Sequence, residues 1–331
     1  GAIQAFVYAF TFIGGIFADK ILGFKKSLLF GGVVMILGNL LIAFSPTTLF
    51  YYGIAFSIIG TGFFKPNIST LLGNVYNEES YKARKDAGYN IFYMGINIGA
   101  ALGGLLCGYV GQKINWHYGF GLAGIFMILG LVVFIIGKSS LKEKGLPLTN
   151  DLFKKIGGFI TVEYTIYLLT FVTLPLIVTL FNYYEALDSI MLGLAVISVI
   201  YILYLSSKLE KEAKFKLLSA LTLVVVSTFF WAFYEQNAGS LNLFAMRNVD
   251  MHVFGTELPA LSVNNFLPPA WVILLSLVFA TLWPWLNKRG LEPSTPAKFA
   301  LSFIFVAAGF FTFYLACQAS LSHGLIPLVA F

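Results

Sequence analysis

Residues 49–73 read LFYYGIAFSIIGTGFFKPNISTLLG, a long apolar run holding one charge, Lys65. Wound as a helix at about 1.5 Å per residue, it crosses a hydrocarbon core of about 30 Å. Nine more segments read the same way: 3–18, 27–44, 88–112, 116–138, 160–181, 188–206, 217–246, 263–286 and 297–317. Residues 324–331 read as the start of an eleventh. A transmembrane β-barrel would need segments of about ten residues with alternating polarity. These runs are continuous. The expected fold class is therefore all-α, a polytopic membrane helix bundle with about ten transmembrane helices visible.

Composition agrees. The 331 residues are 58% hydrophobic and 11% charged, with a mean hydropathy of +0.84. Soluble domains carry about 25% charge. That deficit excludes a soluble enzyme, a disordered chain and a nucleic-acid binder. Cys107 and Cys317 both lie in apolar runs, giving no disulfide framework and no metal spacing. His117, His252 and His323 are far apart in sequence, so no metal is expected.

The net charge of +6 is a matter of topology. If the segments cross alternately, eighteen of the 21 basic residues fall in one set of loops, led by Lys20, Lys25, Lys26, Lys82, Arg84 and Lys85. The other set holds only Lys113 and Arg247. The positive-inside rule makes the first set cytoplasmic. Residue 1 then lies outside, and an earlier helix entering from the cytoplasm is expected.

Two charges remain at membrane depth. Lys65 lies roughly 12 Å from the inner end of its run, and Glu235 roughly 16 Å from the nearer end of its own. Each costs about 2.5–3.5 kcal/mol on insertion scales. Such groups face a bundle interior or a water-filled cavity, so both are expected to be buried and to serve a transport pathway. Snorkelling of Lys65, or a structural buried pair, is the plainer alternative.

Residues 139–159, SSLKEKGLPLTNDLFKKIGGF, are polar, basic and punctuated by Gly and Pro. They read as a cytoplasmic linker. The expected organisation is an N-terminal bundle at 1–138, the linker at 139–159, an inserted helix pair at 160–216 and a C-terminal bundle at 217–331.

The stretch from Gly14 to Ser27, GGIFADKILGFKKS, resembles the signature loop of the major facilitator superfamily, between its second and third helices. Gly15, Asp19, Gly23 and Lys25 are its conformational residues, with Asp19 available to cap an adjacent helix. GTGFFKPNIS (60–69), FYMGINIGA (92–100), FWAFYEQNAGSLNLFA (230–245) and EPSTPAKFAL (292–301) resemble the proton-dependent oligopeptide transporter family of that superfamily. The inserted pair is typical of its prokaryotic members.

The resemblance implies a proton-coupled symporter that imports di- and tripeptides by alternating access, with the proton as coupling ion and no other cofactor. It implies a multi-pass protein of a prokaryotic inner membrane, with no obligate protein partner. Lys65 matches the lysine implicated in carboxylate recognition and proton coupling. Glu235 matches the acid of the seventh helix that takes part in coupling. Tyr93 and Asn97, one helical turn apart, match residues that hydrogen-bond the peptide, and Tyr8 matches a cavity tyrosine. In a bundle this aromatic, packing is the alternative role for each tyrosine.

Pro66, Gly60 and Gly62 would loosen the helix around Lys65, as a gate requires; close packing is the other reading. Gly99/Gly103 and Gly104/Gly108 read as helix-packing pairs. Asn67-Ile68-Ser69 fits a glycosylation pattern but lies at membrane depth.

Some family features are absent here. The acidic and arginine motif of the first helix is missing, as is the acid of the tenth. Pro268-Pro269 stands where eighth helices carry Asn-Pro, leaving Asn264 or Asn265 as substitutes. The chain is expected to lack the first and last helices of the fold, and alone to be incapable of coupled transport. Within the family, nitrate, a drug or another organic anion is the alternative cargo. From another class, the rival is an integral-membrane transferase, which would show a cluster of His, Asp or Glu near one interface.

Overall fold

A computed structural model describes residues 2–44, 47–77, 81, 85–141, 143–181, 183–237, 239–253 and 255–327. Lys82, Arg84 and Lys142 of the basic loops lie outside the described residues. The apolar runs fold as helices: α1 (Ala2–Phe17), α2 (Phe24–Phe44), α3 (Thr47–Tyr76), α4 (Lys85–Lys113), α5 (Trp116–Gly137), α6 (Val162–Phe181), α7 (Tyr184–Ser207), α8 (Lys211–Tyr234), α9 (Ser240–Asn248), α10 (Ala260–Lys288) and α11 (Thr295–His323). Among the described residues, seven helical stretches are long and apolar enough to cross a membrane unaided.

Two expectations are corrected. The run 217–246 is not one helix: α8 stops at Tyr234, a 3-10 turn covers Glu235–Asn237, and α9 starts at Ser240. Consecutive polar residues, Glu235-Gln236-Asn237, followed by Gly239, favour a break there. Residues 324–327 do not continue as a helix either. Gly324 turns the chain with φ +85°, and Ile326–Pro327 pairs in parallel with Val249–Asp250.

The chain divides into two compact units. The first contains residues 1–93 and 114–193, the second 94–113 and 194–331. Between apolar helices in lipid there is no hydrophobic gain from contact, so close van der Waals packing holds them. In the first unit α1 crosses α3 at Gly14 and Gly62. A Cβ on Gly14 would stand 2.3 Å from the Gly62 carbonyl oxygen, so only glycine permits the crossing. Phe63, Ile58 and Ile59 of α3 pack in one core with Leu22, Val34, and Ile166, Leu174 and Ile177 of α6.

The inserted helix α6 is thus part of the first unit. Phe30 of α2 stacks on Tyr167 at 4.2 Å between ring centroids. Lys26 pairs with Glu163 at 2.5 Å, and the Tyr167 hydroxyl donates to the same carboxylate at 3.1 Å. The linker takes a definite form. Thr149 caps a 3-10 turn, Asn150–Phe153, whose Leu152 is fully buried, and Lys155–Ile156 pairs with Ile160–Thr161 as a small hairpin.

In the second unit, Gly104 and Gly108 of α4 let α10 approach. Cβ atoms on them would stand 2.8 Å from Asn265 Cβ and from Ser262 Oγ. The other small pair does not pack: among the described residues nothing lies within 4 Å of a Cβ on Gly99 or Gly103.

Candidate functional site

The centre of α3 supplies the first part of the site. Lys65 Nζ lies over the ring of Tyr8 of α1, 5.1 Å from its centroid. A cation at that distance is attracted to the ring face. Contrary to expectation, Lys65 is exposed rather than buried, and Tyr8 is 52% exposed. Among the described residues Lys65 makes no ion pair. Its ammonium keeps donors for an anionic ligand.

Beneath it, Asn67 is 1% exposed and donates to the Phe63 carbonyl at 2.7 Å and to the Gly14 carbonyl at 3.3 Å. It fastens α3 to α1 directly behind the Lys65–Tyr8 pair. Sequence reading noted Asn67 only as part of a glycosylation pattern; the signal for its packing role was an amide at membrane depth that must find partners. The burial also closes the glycosylation reading. Pro66 does not break α3, which runs unbroken to Tyr76. Gly60 and Gly62 pack against the Gly31 and Phe10 backbones. Close packing, not loosening, explains them.

The signature loop is ordered by the linker. Residues Ala18–Leu22 form a π turn, and Gly23 follows at φ +73°. A Cβ on Gly23 would stand 2.5 Å from Pro147 N, and the Lys25 amide donates to the Gly145 carbonyl at 3.0 Å. Gly15 makes only ordinary contact with Pro66, 4.0 Å from its Cβ. Asp19 is exposed and caps no helix among the described residues.

Tyr93 and Asn97 lie on successive turns of α4, Tyr93 exposed and Asn97 half-buried. Glu235 stands at the C-terminal end of α8, where the helix breaks, and is exposed rather than buried. The break is braced by Asn264 of α10. This amide, 3% exposed, donates to the Asn237 carbonyl at 2.6 Å. Asn264 therefore satisfies a backbone group that the broken helix leaves open. Next to Glu235, a cavity of about 350 Å³ is lined by Phe233, Tyr234, Asn237, Asn264, Trp271 and Phe310 among others. Trp271 and Phe310 carried no sequence signal, being two aromatics among many.

The structure thus brings together Lys65, Tyr8 and Asn67 in the first unit, and Glu235, Asn237 and Asn264 in the second. No group of three or more His, Cys, Asp or Glu side chains suited to a metal occurs among the described residues. Several helices long and apolar enough to span a membrane, one of them broken beside a carboxylate, define a multi-pass membrane protein. The chain belongs to the POT family: the family model, PTR2, matches residues 25–322.

Its relatives agree. It is 36% identical over 310 residues to the uncharacterized transporter YclF of Bacillus subtilis, covering 92% of this chain and 61% of that protein. It is 31% identical to the peptide transporter YePEPT of Yersinia enterocolitica, covering 98% of this chain and 66% of that protein. The crystal structure of a peptide transporter POT in complex with sulfate matches 99% of this chain and 67% of its own, at 32% identity and a TM-score of 0.80. A POT family transporter in complex with 5-aminolevulinic acid matches at 26% identity and a TM-score of 0.75, over 98% of this chain and 67% of its own. The chain therefore spans just under two thirds of the length of these curated relatives. Family membership decides against the membrane-transferase reading.

Proposed function

We propose that the chain is the transport core of a proton-coupled symporter that imports di- and tripeptides by alternating access. The observation that carries this is Lys65: an ammonium held at mid-span over Tyr8, without a carboxylate partner among the described residues. A peptide carboxylate is the complement of that group, and a charge-assisted hydrogen bond between the two is short and strong. Glu235, at the helix break, is the complement of the peptide ammonium and the candidate proton carrier. Tyr93 and Asn97 add hydrogen-bonding groups along α4. A relative described as a peptide transporter, and a peptide transporter POT solved with alafosfalin, support the cargo class.

Each proton moving inward down about 100 mV supplies about 2.3 kcal/mol. Coupled to alternating access, that drives accumulation. The excess of basic residues in one set of loops supports a cytoplasmic linker, and the bacterial relatives support a prokaryotic inner membrane.

The test uses the full-length protein in proteoliposomes. Under an inward proton gradient, labelled dialanine accumulates, and it does so much less without the gradient. Uptake of nitrate or an aminated organic acid in place of dialanine would overturn the peptide assignment. Uptake indifferent to the gradient would overturn the coupling.

A further inference from the structure

The linker carries a feature that transport does not use. Lys155–Ile156 and Ile160–Thr161 form a two-stranded hairpin whose three-residue turn is Gly157-Gly158-Phe159. Gly157 and Gly158 are left-handed, at φ +62° and +81°. Among the described residues nothing lies within 4 Å of a Cβ on either, so the two glycines face open space. Turn tips in water favour Gly, Asn and Asp. Beside its two glycines this one also projects Phe159, 90% exposed, with Ile156 and Ile160 53% and 42% exposed beneath it.

The hairpin's position gives that apolar tip an environment. Its second strand ends at Thr161 and α6 begins at Val162, so it is fused to the end of a span. The turn is locked to the helix start, because the Val162 amide donates to the Lys154 carbonyl at 2.9 Å. Phe159 and Ile160 share a groove of about 580 Å³ with Phe30 of α2 and Tyr164 and Phe171 of α6. The apolar surface of the tip is thus continuous with two spans. Exposed Lys154 and Lys155 stand at its base, Lys154 tied to Asp151 at 2.6 Å. Exposed aromatics beside basic side chains at a span's end are the composition of a membrane–water interface.

We propose that this hairpin is an interfacial anchor: Phe159, with Ile156 and Ile160, inserts into the leaflet on the basic side of the protein, and Lys155 draws it to anionic headgroups. The partner is the anionic lipid surface itself. The anchor ties the linker to the bilayer next to α6 and limits its movement.

The experiment places a nitroxide at Phe159→Cys in the full-length protein, in a background with Cys107→Ser and Cys317→Ser. Oxygen, which concentrates in lipid, and a water-soluble nickel complex report immersion. A nitroxide at Asn150→Cys, an exposed linker position, is the reference. In phosphatidylglycerol–phosphatidylcholine vesicles the oxygen-to-nickel accessibility ratio at 159 is expected to be severalfold above that at 150. It is expected to fall in pure phosphatidylcholine and with Lys154→Gln and Lys155→Gln together. Equal ratios at 159 and 150 overturn the anchor. Immersion at 159 that ignores headgroup charge overturns the role of Lys155. Phe159→Trp, read by quenching with brominated lipid above the background of the native tryptophans, repeats the measurement without a label.

Discussion

At the residue scale, Lys65 and Asn67 sit two positions apart on α3 and do different work. Lys65 reaches outward over Tyr8, while Asn67 turns inward to α1. Lys65→Ala in the full-length protein is expected to lower gradient-driven dialanine uptake at least about tenfold, a loss of about 1.4 kcal/mol in the limiting step. It should leave the thermal unfolding midpoint nearly unchanged, because an exposed side chain is removed. Asn67→Ala should show the reverse order of effects. It removes two hydrogen bonds to backbone carbonyls at a helix crossing, where such bonds are worth about 0.6–1.7 kcal/mol. A midpoint lowered by a few degrees in detergent, measured by tryptophan fluorescence, checks it. If Lys65→Ala destabilises as much as Asn67→Ala, the lysine is a packing residue. Of these two, the lysine was legible in the sequence, because a lone charge in an apolar run stands out. Its neighbour Tyr8 was legible only by resemblance, since the contact joins two helices and no local pattern encodes it.

At the element scale, two breaks in regularity matter. The α1–α3 crossing depends on Gly14, whose absent Cβ admits the Gly62 carbonyl. Gly14→Ala forces backbone apart and is expected to cost about 1–3 kcal/mol, as overpacking does. It should appear as a lower unfolding midpoint and a lower yield of monodisperse protein. The other break, at Glu235, was marked only by the short polar stretch Glu235-Gln236-Asn237 and Gly239. Apolar residues on both sides, FFWAFY before and LNLF after, read as one continuous run. The brace that holds it, Asn264, comes from another helix.

A third element test concerns the loop between α10 and α11. Hydrogen bonds from Lys298 and from Asn287, the latter at 2.5 Å, hold the Glu292 carboxyl below its ordinary range. Its folded pKa is depressed, so its contribution to stability is complete above the unfolded value of about 4.3. It is lost as pH falls through the lower folded value. Glu292→Gln should therefore lower the midpoint near neutral pH, and the gap from the parent should close as the medium is acidified below the unfolded value. A gap independent of pH would mean that the contact acts through shape and not charge.

At the scale of the whole molecule, the question is which parts move together. A carrier that alternates access keeps its rigid bodies intact and changes only their relation. The sequence placed residues 160–216 as a separate inserted pair. Membrane helices are apolar on every face, so no amphipathic stripe announces which neighbour a helix will choose. The structure assigns α6 to the first unit through Phe30–Tyr167 stacking, the Lys26–Glu163 pair and a shared core. If α6 rides with α2 throughout the cycle, tying them together costs nothing. Phe30→Cys and Tyr167→Cys, joined by a short thiol cross-linker in a background without Cys107 and Cys317, should retain most gradient-driven uptake. The comparison is with the same double variant before cross-linking, so loss of the ring stack itself is already counted. Charge exchange adds a second readout. Lys26→Glu or Glu163→Lys alone places like charges at a half-buried contact and should lower stability, and the two together should restore much of it. Uptake that stops on cross-linking, with the fold intact, would show that α6 moves against α2 and belongs to the gate.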